Sequence, residues 1–333
     1  MFRAIDHHFV VECDDDALAE LIDDVFAHCF IDLVDREPDE VFRLEVDTTD
    51  VHLTSNEGTR TIPRSRALQT VVSLVNLRGA QLRAPTLPVV HGGAVAFGGE
   101  AVLLPGRSGS GKSTLVAALA SSGAEYLADE LVAVRSPTCV SGYPKSITLK
   151  PGSWSALPFE RPIRTGPAAT FVDQVGYASP EHVGALAVLE EAWPAVVVFP
   201  TWDAGRDDPQ VERLDAADAL LLLAEAAYLP LTAVAFFELA DLVARVPAYS
   251  VRYGSTAHAV ASVEQVRSQG PSPRKMNRYG PSRQPSEIAV ADFGDLAVLF
   301  HPDGSLASIR GFDLDLWKEA EDDPDHPFHT KAT

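Results

Sequence analysis

The sequence predicts an α/β fold in which a larger α/β core follows a smaller α+β unit. Three observations carry that expectation. The chain has 333 residues, and at about 150 residues per domain that length allows two. From Val89 onward, apolar runs of strand length alternate with stretches of helical periodicity. Between one such run and one such helix lies the glycine-rich stretch Gly106-Arg107-Ser108-Gly109-Ser110-Gly111-Lys112-Ser113.

The first unit is assigned to residues 1–85. Leu18, Leu21, Ile22, Val25, Phe26 and Cys29 recur at helical spacing within Asp15–Phe30. Phe42, Leu44 and Val46 alternate with charged neighbours, as in a half-buried strand. Arg64–Leu82 is helical again, through Leu68, Val71, Val72, Leu74 and Val75. Pro85 and Pro88 then break the pattern and set the boundary. No motif assigns a role to these 85 residues; substrate recognition and assembly are both open to them.

The core is assigned to residues 86–269. Val89–Ala96 and Ala101–Pro105, joined across Gly98-Gly99, read as a β-hairpin. The glycine-rich stretch follows, then a short helix to Ser122 closed by Gly123. Ala124–Leu127, Leu131–Val134 and Ile147–Lys150 read as strands, and Ala195–Phe199 as a fully buried one. Leu214–Tyr228 and Thr232–Arg245 are helical on either side of Pro230; strand Tyr249–Tyr253 and helix Ser255–Arg267 close the unit. Residues 270–286, rich in Pro, Ser, Arg and Gly, read as a flexible basic connector with Arg274, Lys275, Arg278 and Arg283, continuing from Arg267. Residues 287–333 hold a second hairpin, Leu296–Phe300 with Leu306–Ile309, and an acidic tail.

The glycine-rich stretch has a chemical reading. It matches G-x-x-x-x-G-K-[ST], in which glycines let successive backbone N–H groups converge on a phosphate at a helix N-terminus. Gly106, Ser108, Gly109, Ser110, Gly111, Lys112, Ser113 and Thr114 are therefore the candidate nucleotide-binding residues. Lys112 would span the outer phosphates and the Ser113 hydroxyl would bind Mg²⁺, so ATP and Mg²⁺ are the expected ligands. Asp129-Glu130 lies 17 residues after Lys112, at the end of an apolar stretch. A carboxylate there can hold the metal or take a proton from an attacking hydroxyl. His91 stands 21 residues before Lys112. Lys145, Lys150, Arg161 and Arg164 are further candidate cations for the transferred phosphate or the acceptor.

Taken together, His91-Gly92, the Gly106–Ser113 loop and Ala128-Asp129-Glu130 resemble the HPr kinase/phosphorylase family, where a His-Gly pair, a phosphate loop and an Ala-Asp-Asp triplet occur in this order and spacing. The resemblance spans about Val89–Val134. It implies a P-loop kinase core like the C-terminal domain of those enzymes, related to phosphoenolpyruvate carboxykinase, and transfer to a serine hydroxyl. It also implies Asp129 as catalytic base with His91 as its partner; from the loop's own chemistry Lys112 is the third catalytic candidate, and Ser113, helped by Asp129 or Glu130, would hold the metal. Glu130 stands where the family has a second aspartate, and Ser141–Trp154 lacks the glycine-flanked signature of true HPr kinases. The chain therefore resembles a stand-alone relative acting on a hydroxyl-bearing peptide, protein or small molecule. The family's enzymes assemble as hexamers, so a homo-oligomer is compatible with it.

A phosphate loop by itself also serves ATPases and nucleotide-driven switches, with water as acceptor. No Asn-Lys-x-Asp or Leu-Ser-Gly-Gly signature marks such a switch here, and the larger domain and Lys/His set of a carboxykinase are not evident. The formal charge of −20 disfavours nucleic acid or an anionic membrane as partner. That charge sits at the ends: residues 1–50 carry a net −13 and residues 311–333 a net −5. Cys13, Cys29 and Cys139 share no tight spacing, and no basic-then-apolar leader opens the chain, so a cytoplasmic protein with reduced thiols is expected.

Overall fold

The computed structural model describes residues 1–32, 36–83, 86–158 and 175–269, and the backbone of 297–300 and 306–310. It is a mixed α/β protein with several sheets and, among the described residues, seven α-helices.

Strands β1 (Phe2–Ala4), β2 (His7–Cys13), β3 (Glu40–Val46), β4 (Asp50–Ser55) and β5 (Gly58–Pro63) form a sheet in that order. Only the β2–β3 pair is parallel, and helix α1 (Asp16–Phe26) makes that crossover. The Asp15 side chain caps α1 by accepting from the Leu18 N–H at 2.9 Å. Leu18, Leu21, Ile22, Val25 and Phe26 form its buried face. Helix α2 (Ala67–Gln81) follows β5 after one turn and buries Leu68, Val71, Val72, Leu74 and Val75. Its core is continuous with Val89, Leu131 and Ala133 of the next sheet and with Tyr143 just beyond it. The described residues from 1 to 269 accordingly belong to one compact unit.

The second sheet is built from β6 (Val89–Phe97), β7 (Glu100–Pro105), β8 (Glu125–Ala128), β9 (Leu131–Ser136) and β10 (Cys139–Gly142), with further strands from later in the chain. The expected β6–β7 hairpin is present, and Gly98 and Gly99 both take positive φ, the conformation of a tight two-residue turn. Helix α3 (Lys112–Ser121) lies between β7 and β8. A two-stranded sheet of β11 (Ile147–Leu149) and β12 (Gly176–Ala178) flanks the short helix α4 (Pro151–Trp154). Then come β13 (Glu191–Trp202), β14 (Gln210–Leu214), α5 (Ala216–Glu225), α6 (Ala233–Val243), β15 (Ala248–Tyr253) and α7 (Thr256–Ser268).

The strand order is β10-β9-β6-β7-β13-β15-β14, with β8 also on β6. The centre, β7-β13-β15, is parallel, and the flanking pairs are antiparallel. Val196, Val197 and Val198 of β13 are completely buried, as both faces of a central parallel strand require. One face packs against α3 and α7, the other meets α5 and α6. Arg267 belongs to α7, with its guanidinium 4.4 Å from the centre of the Phe97 ring, so it is a packed helix residue rather than part of a mobile connector. Strands β16 (Ala297–Phe300) and β17 (Leu306–Arg310) pair antiparallel, matching the second expected hairpin. The proposed connector at 270–286, the acidic tail, and Arg161 and Arg164 lie outside the described residues. Cys13, Cys29 and Cys139 are free thiols. No helix among the described residues is long and apolar enough to cross a membrane.

Candidate active site

The candidate site begins with the connection from β7 to α3. Gly106, Gly109 and Gly111 take φ of +155°, +86° and +94°, conformations that side chains disfavour. A Cβ on Gly111 would in addition collide with the Tyr253 hydroxyl. These turns bring the chain back on itself so that Gly111 is the N-cap of α3 and Lys112 its first residue. The unpaired N–H groups of the first helical turn then face the loop, a ready anion site. Lys112 is 5% exposed and its Nζ donates to the Arg107 carbonyl at 2.7 Å. Burial lowers its pKa to about 8, although Glu130 and Asp129 act in the opposite sense. The Ser110 hydroxyl is buried with no hydrogen-bond partner.

Backbone hydrogen bonds tie the three sequence motifs together. The Gly106 N–H donates to the His91 carbonyl at 3.2 Å, and the Gly92 N–H donates to the Glu130 carbonyl at 3.0 Å. The His91-Gly92 strand segment is thus the bridge between the loop and the Asp129-Glu130 turn. Its imidazole Nε2 lies 3.7 Å from Glu130 Oε1. The carboxylate beside His91 is therefore Glu130, where the family resemblance implies Asp129.

The two carboxylates have different surroundings. Asp129 is 1% exposed and both of its oxygens are engaged. Oδ1 accepts from Lys145 Nζ at 2.7 Å and from the Tyr126 hydroxyl at 3.3 Å, and Oδ2 accepts from the Thr148 N–H at 2.7 Å. Lys145 also donates to the Thr148 hydroxyl and the Ser146 carbonyl, and its side chain is fully buried. The sequence offers Lys145 as a candidate cation for the transferred phosphate or the acceptor; the structure makes it the internal counter-ion of Asp129. Glu130 keeps 27% of its side chain exposed. Burial raises its pKa and the Asp129 charge adds to the rise, while Lys145 and Lys112 oppose it.

The Lys145–Asp129 pair makes a stability prediction. Lys145→Met leaves a buried carboxylate without its cation, which should cost roughly 3–5 kcal/mol. Adding Asp129→Asn to that variant should recover part of the loss. Denaturant unfolding of the two singles and the double measures the coupling; strictly additive losses would show that the pair does not interact.

A cavity of about 490 Å³ gathers these groups. It is lined by His91, by Ser108, Gly109, Gly111, Lys112, Ser113 and Thr114 of the loop and α3, by Asp129 and Glu130, and by Lys150. Gly106 and Ser110 belong to the loop but not to the lining. Lys150 Nζ stands 3.4 Å from the Ser108 hydroxyl, placing a second cation at the loop. Four residues of α2, Gln69, Val72, Ser73 and Asn76, complete another side of the cavity, with Trp202 and Tyr253 near Gly111. Sequence reasoning missed the α2 contribution, since uncharged polar residues on a helix signal nothing beyond a polar face.

The residues present fit the expected ligands. A left-handed glycine loop at a helix N-terminus and a buried lysine suit a triphosphate. Among the described residues, no three His, Cys, Asp or Glu side chains group to hold a metal by themselves. Mg²⁺ asks for less than that, since one or two protein ligands suffice when phosphate oxygens supply the rest; Ser113 with Asp129 or Glu130 would provide them.

No protein-family model matches the chain, and no curated protein matches it. Among solved structures, the chain is similar to the Hpr(Ser) kinase/phosphatase from Coxiella burnetii, at 12% identity and a TM-score of 0.30. The match covers 54% of this chain and 97% of that one. It is a weak structural likeness, and the functional reading rests on the residues of the cavity.

Proposed function

We propose that the protein is an ATP-dependent phosphotransferase of the P-loop type that moves the γ-phosphoryl group to a serine-type hydroxyl of a peptide, protein or small molecule. The observation that supports it best is the single cavity shared by the Gly106–Ser113 loop and a partly exposed carboxylate, Glu130, whose proton affinity is raised. A triphosphate site alone would suit any nucleotide-driven protein. A proton acceptor beside it suits transfer to a hydroxyl.

The chain's own groups divide the work. Loop amides of Gly109–Lys112 orient the triphosphate, and Lys112, with Lys150 nearby, offsets the charge on the transferring group. Ser113 and a carboxylate would hold Mg²⁺, which would supply positive charge to offset that of the phosphates. As the acceptor oxygen bonds to the γ-phosphorus and the bridging P–O bond to the β-phosphate breaks, the acceptor's proton passes to a carboxylate. The resemblance assigns that proton to Asp129. Electrostatics favour Glu130, because a proton on Asp129 would neutralise the counter-ion that stands 2.7 Å from the fully buried Lys145 ammonium. In this reading Asp129 and Lys145 fix the turn that presents Glu130, and His91 steadies its carboxylate.

Radiolabelled ATP offered to the pure protein tests the proposal. Turnover should stay low until a hydroxyl-bearing acceptor is added, and the label should then appear on the acceptor. Vigorous hydrolysis with no acceptor, unchanged when acceptors are added, would replace this reading with an ATPase or switch.

A further inference from the structure

Helix α2 presents Gln69, Val72, Ser73 and Asn76 to the cavity. Their spacing of three, four and seven residues puts them on one helix face. Gln69 and Ser73 are exposed, whereas Asn76 is only 3% exposed, and its Oδ1 atom has no hydrogen-bond partner. A buried acceptor left unmet is costly, and such groups in folded proteins call for an explanation. The other buried residues of α2 are apolar or glycine, so Asn76 interrupts a face that packing alone would fill with a hydrocarbon. The four residues are also uncharged. Arg78, two residues further on, is turned to Glu40 and Glu57 and does not line the cavity. Every ionisable group that could serve the phosphates comes from other segments: Lys112, Lys150, Asp129, Glu130 and His91.

We infer that this face of α2 is the acceptor subsite, and that Asn76 Oδ1 takes a hydrogen bond from an uncharged donor lying a few bonds from the acceptor's reacting hydroxyl. The inference rests on the phosphotransferase reading above. The donor chemistry has two sources, the N–H of a seryl amide or a second hydroxyl of a polyol. Either satisfies Oδ1 without bringing a charge to a wall that has none to answer it. An acceptor carrying a carboxylate or phosphate at that point would lie against Val72 and two amides with no cation supplied by α2.

Asn76→Leu keeps the approximate shape of the side chain and removes the unmet acceptor. Its melting temperature should be unchanged or raised, because no partner is lost within the protein. A clear fall would show that Asn76 is held structurally, and would overturn the assignment. With labelled ATP, N-acetylserinamide, its N-methyl analogue and glycerol separate the two donor sources. Asn76→Leu should raise KM for the accepted compound about ten- to a hundred-fold with KM for ATP unchanged. If the amide is the source, N-methylation should weaken the wild type by a similar factor and barely affect Asn76→Leu. Acceptor KM equal in wild type and variant would overturn the subsite and leave the kinase reading standing. Preference for N-acetylserine or glycerol 3-phosphate, which keep a free hydroxyl and add a carboxylate or a phosphate, over these neutral compounds would overturn the uncharged-donor assignment. Phosphoryl transfer to water alone would overturn the kinase reading and the subsite with it.

Discussion

Lys112→Ala should lower the rate of phosphoryl transfer on the order of 10³–10⁵-fold, the range set by other cations that neutralise a transferring phosphoryl group. The geometry gives that lysine no substitute in place. It is buried, stands at the first residue of α3, and is held by the Arg107 carbonyl within the loop itself. Lys150 lies at the Ser108 end and is exposed. Burial lowers the Lys112 pKa to about 8, so in the nucleotide-free protein its charge is lost as pH rises through that value. The ratio kcat/KM for ATP should therefore carry an alkaline limb near pH 8. Lys112→Arg should move that limb out of the accessible range while keeping part of the activity, since guanidinium stays charged but is a different shape.

The same shift has a consequence for folding, of the opposite sense. The unfolded chain holds the Lys112 proton up to its ordinary value of 10.5, the folded chain only to about 8. Between these values the unfolded state binds more protons, so the contribution of Lys112 to stability rises with pH across that window. Nucleotide-free protein should thus keep or gain stability from this residue over the range where it loses affinity for ATP. Parallel titrations of unfolding free energy and ATP affinity check both signs; if the two moved together, another group would be responsible.

Much of this arrangement could be read along the chain, and the exceptions share a cause. The β6–β7 hairpin, the loop and α3 were legible because glycines at fixed spacing and apolar runs are local signals. So was α1, whose cap and apolar face lie within one helix. Strands β2 and β5 gave no clean alternation: β5 reads Gly-Thr-Arg-Thr-Ile-Pro and is almost wholly exposed, and β2 opens on two histidines; β1 and β4 alternate over only two apolar positions each. Lys145 reads as a surface lysine because lysines are mostly exposed, and nothing local pairs it with an aspartate sixteen residues earlier. Asn76 shows why the first 85 residues carried no motif. Their contribution to the cavity is a wall of neutral side chains brought there by packing between two sheets, and packing leaves no local pattern to find.

Glu130→Gln should reduce kcat about 10²–10⁴-fold, the usual share of a positioned proton acceptor, with ATP affinity little changed. The contrast with Asp129→Asn decides between the two carboxylates. Removing the Asp129 charge strands Lys145 in a fully buried position and should destabilise the fold, lowering activity through misplacement of the turn. Glu130 is partly exposed and its glutamine variant should stay folded. The pH dependence separates the roles more sharply than the rates do. Burial and the neighbouring Asp129 charge raise the pKa of Glu130, and a base must be ionised to act, so acceptor-dependent kcat/KM should climb with pH through that raised value. Glu130→Gln should abolish this acidic limb and leave the alkaline limb of Lys112 in place. Asp129→Asn should retain an acidic limb displaced downward, because the charge that helps to raise Glu130 is gone. If the limb survived in Glu130→Gln and vanished in Asp129→Asn, the proton would belong to Asp129, and buried Lys145 would face a neutral carboxyl in each turnover.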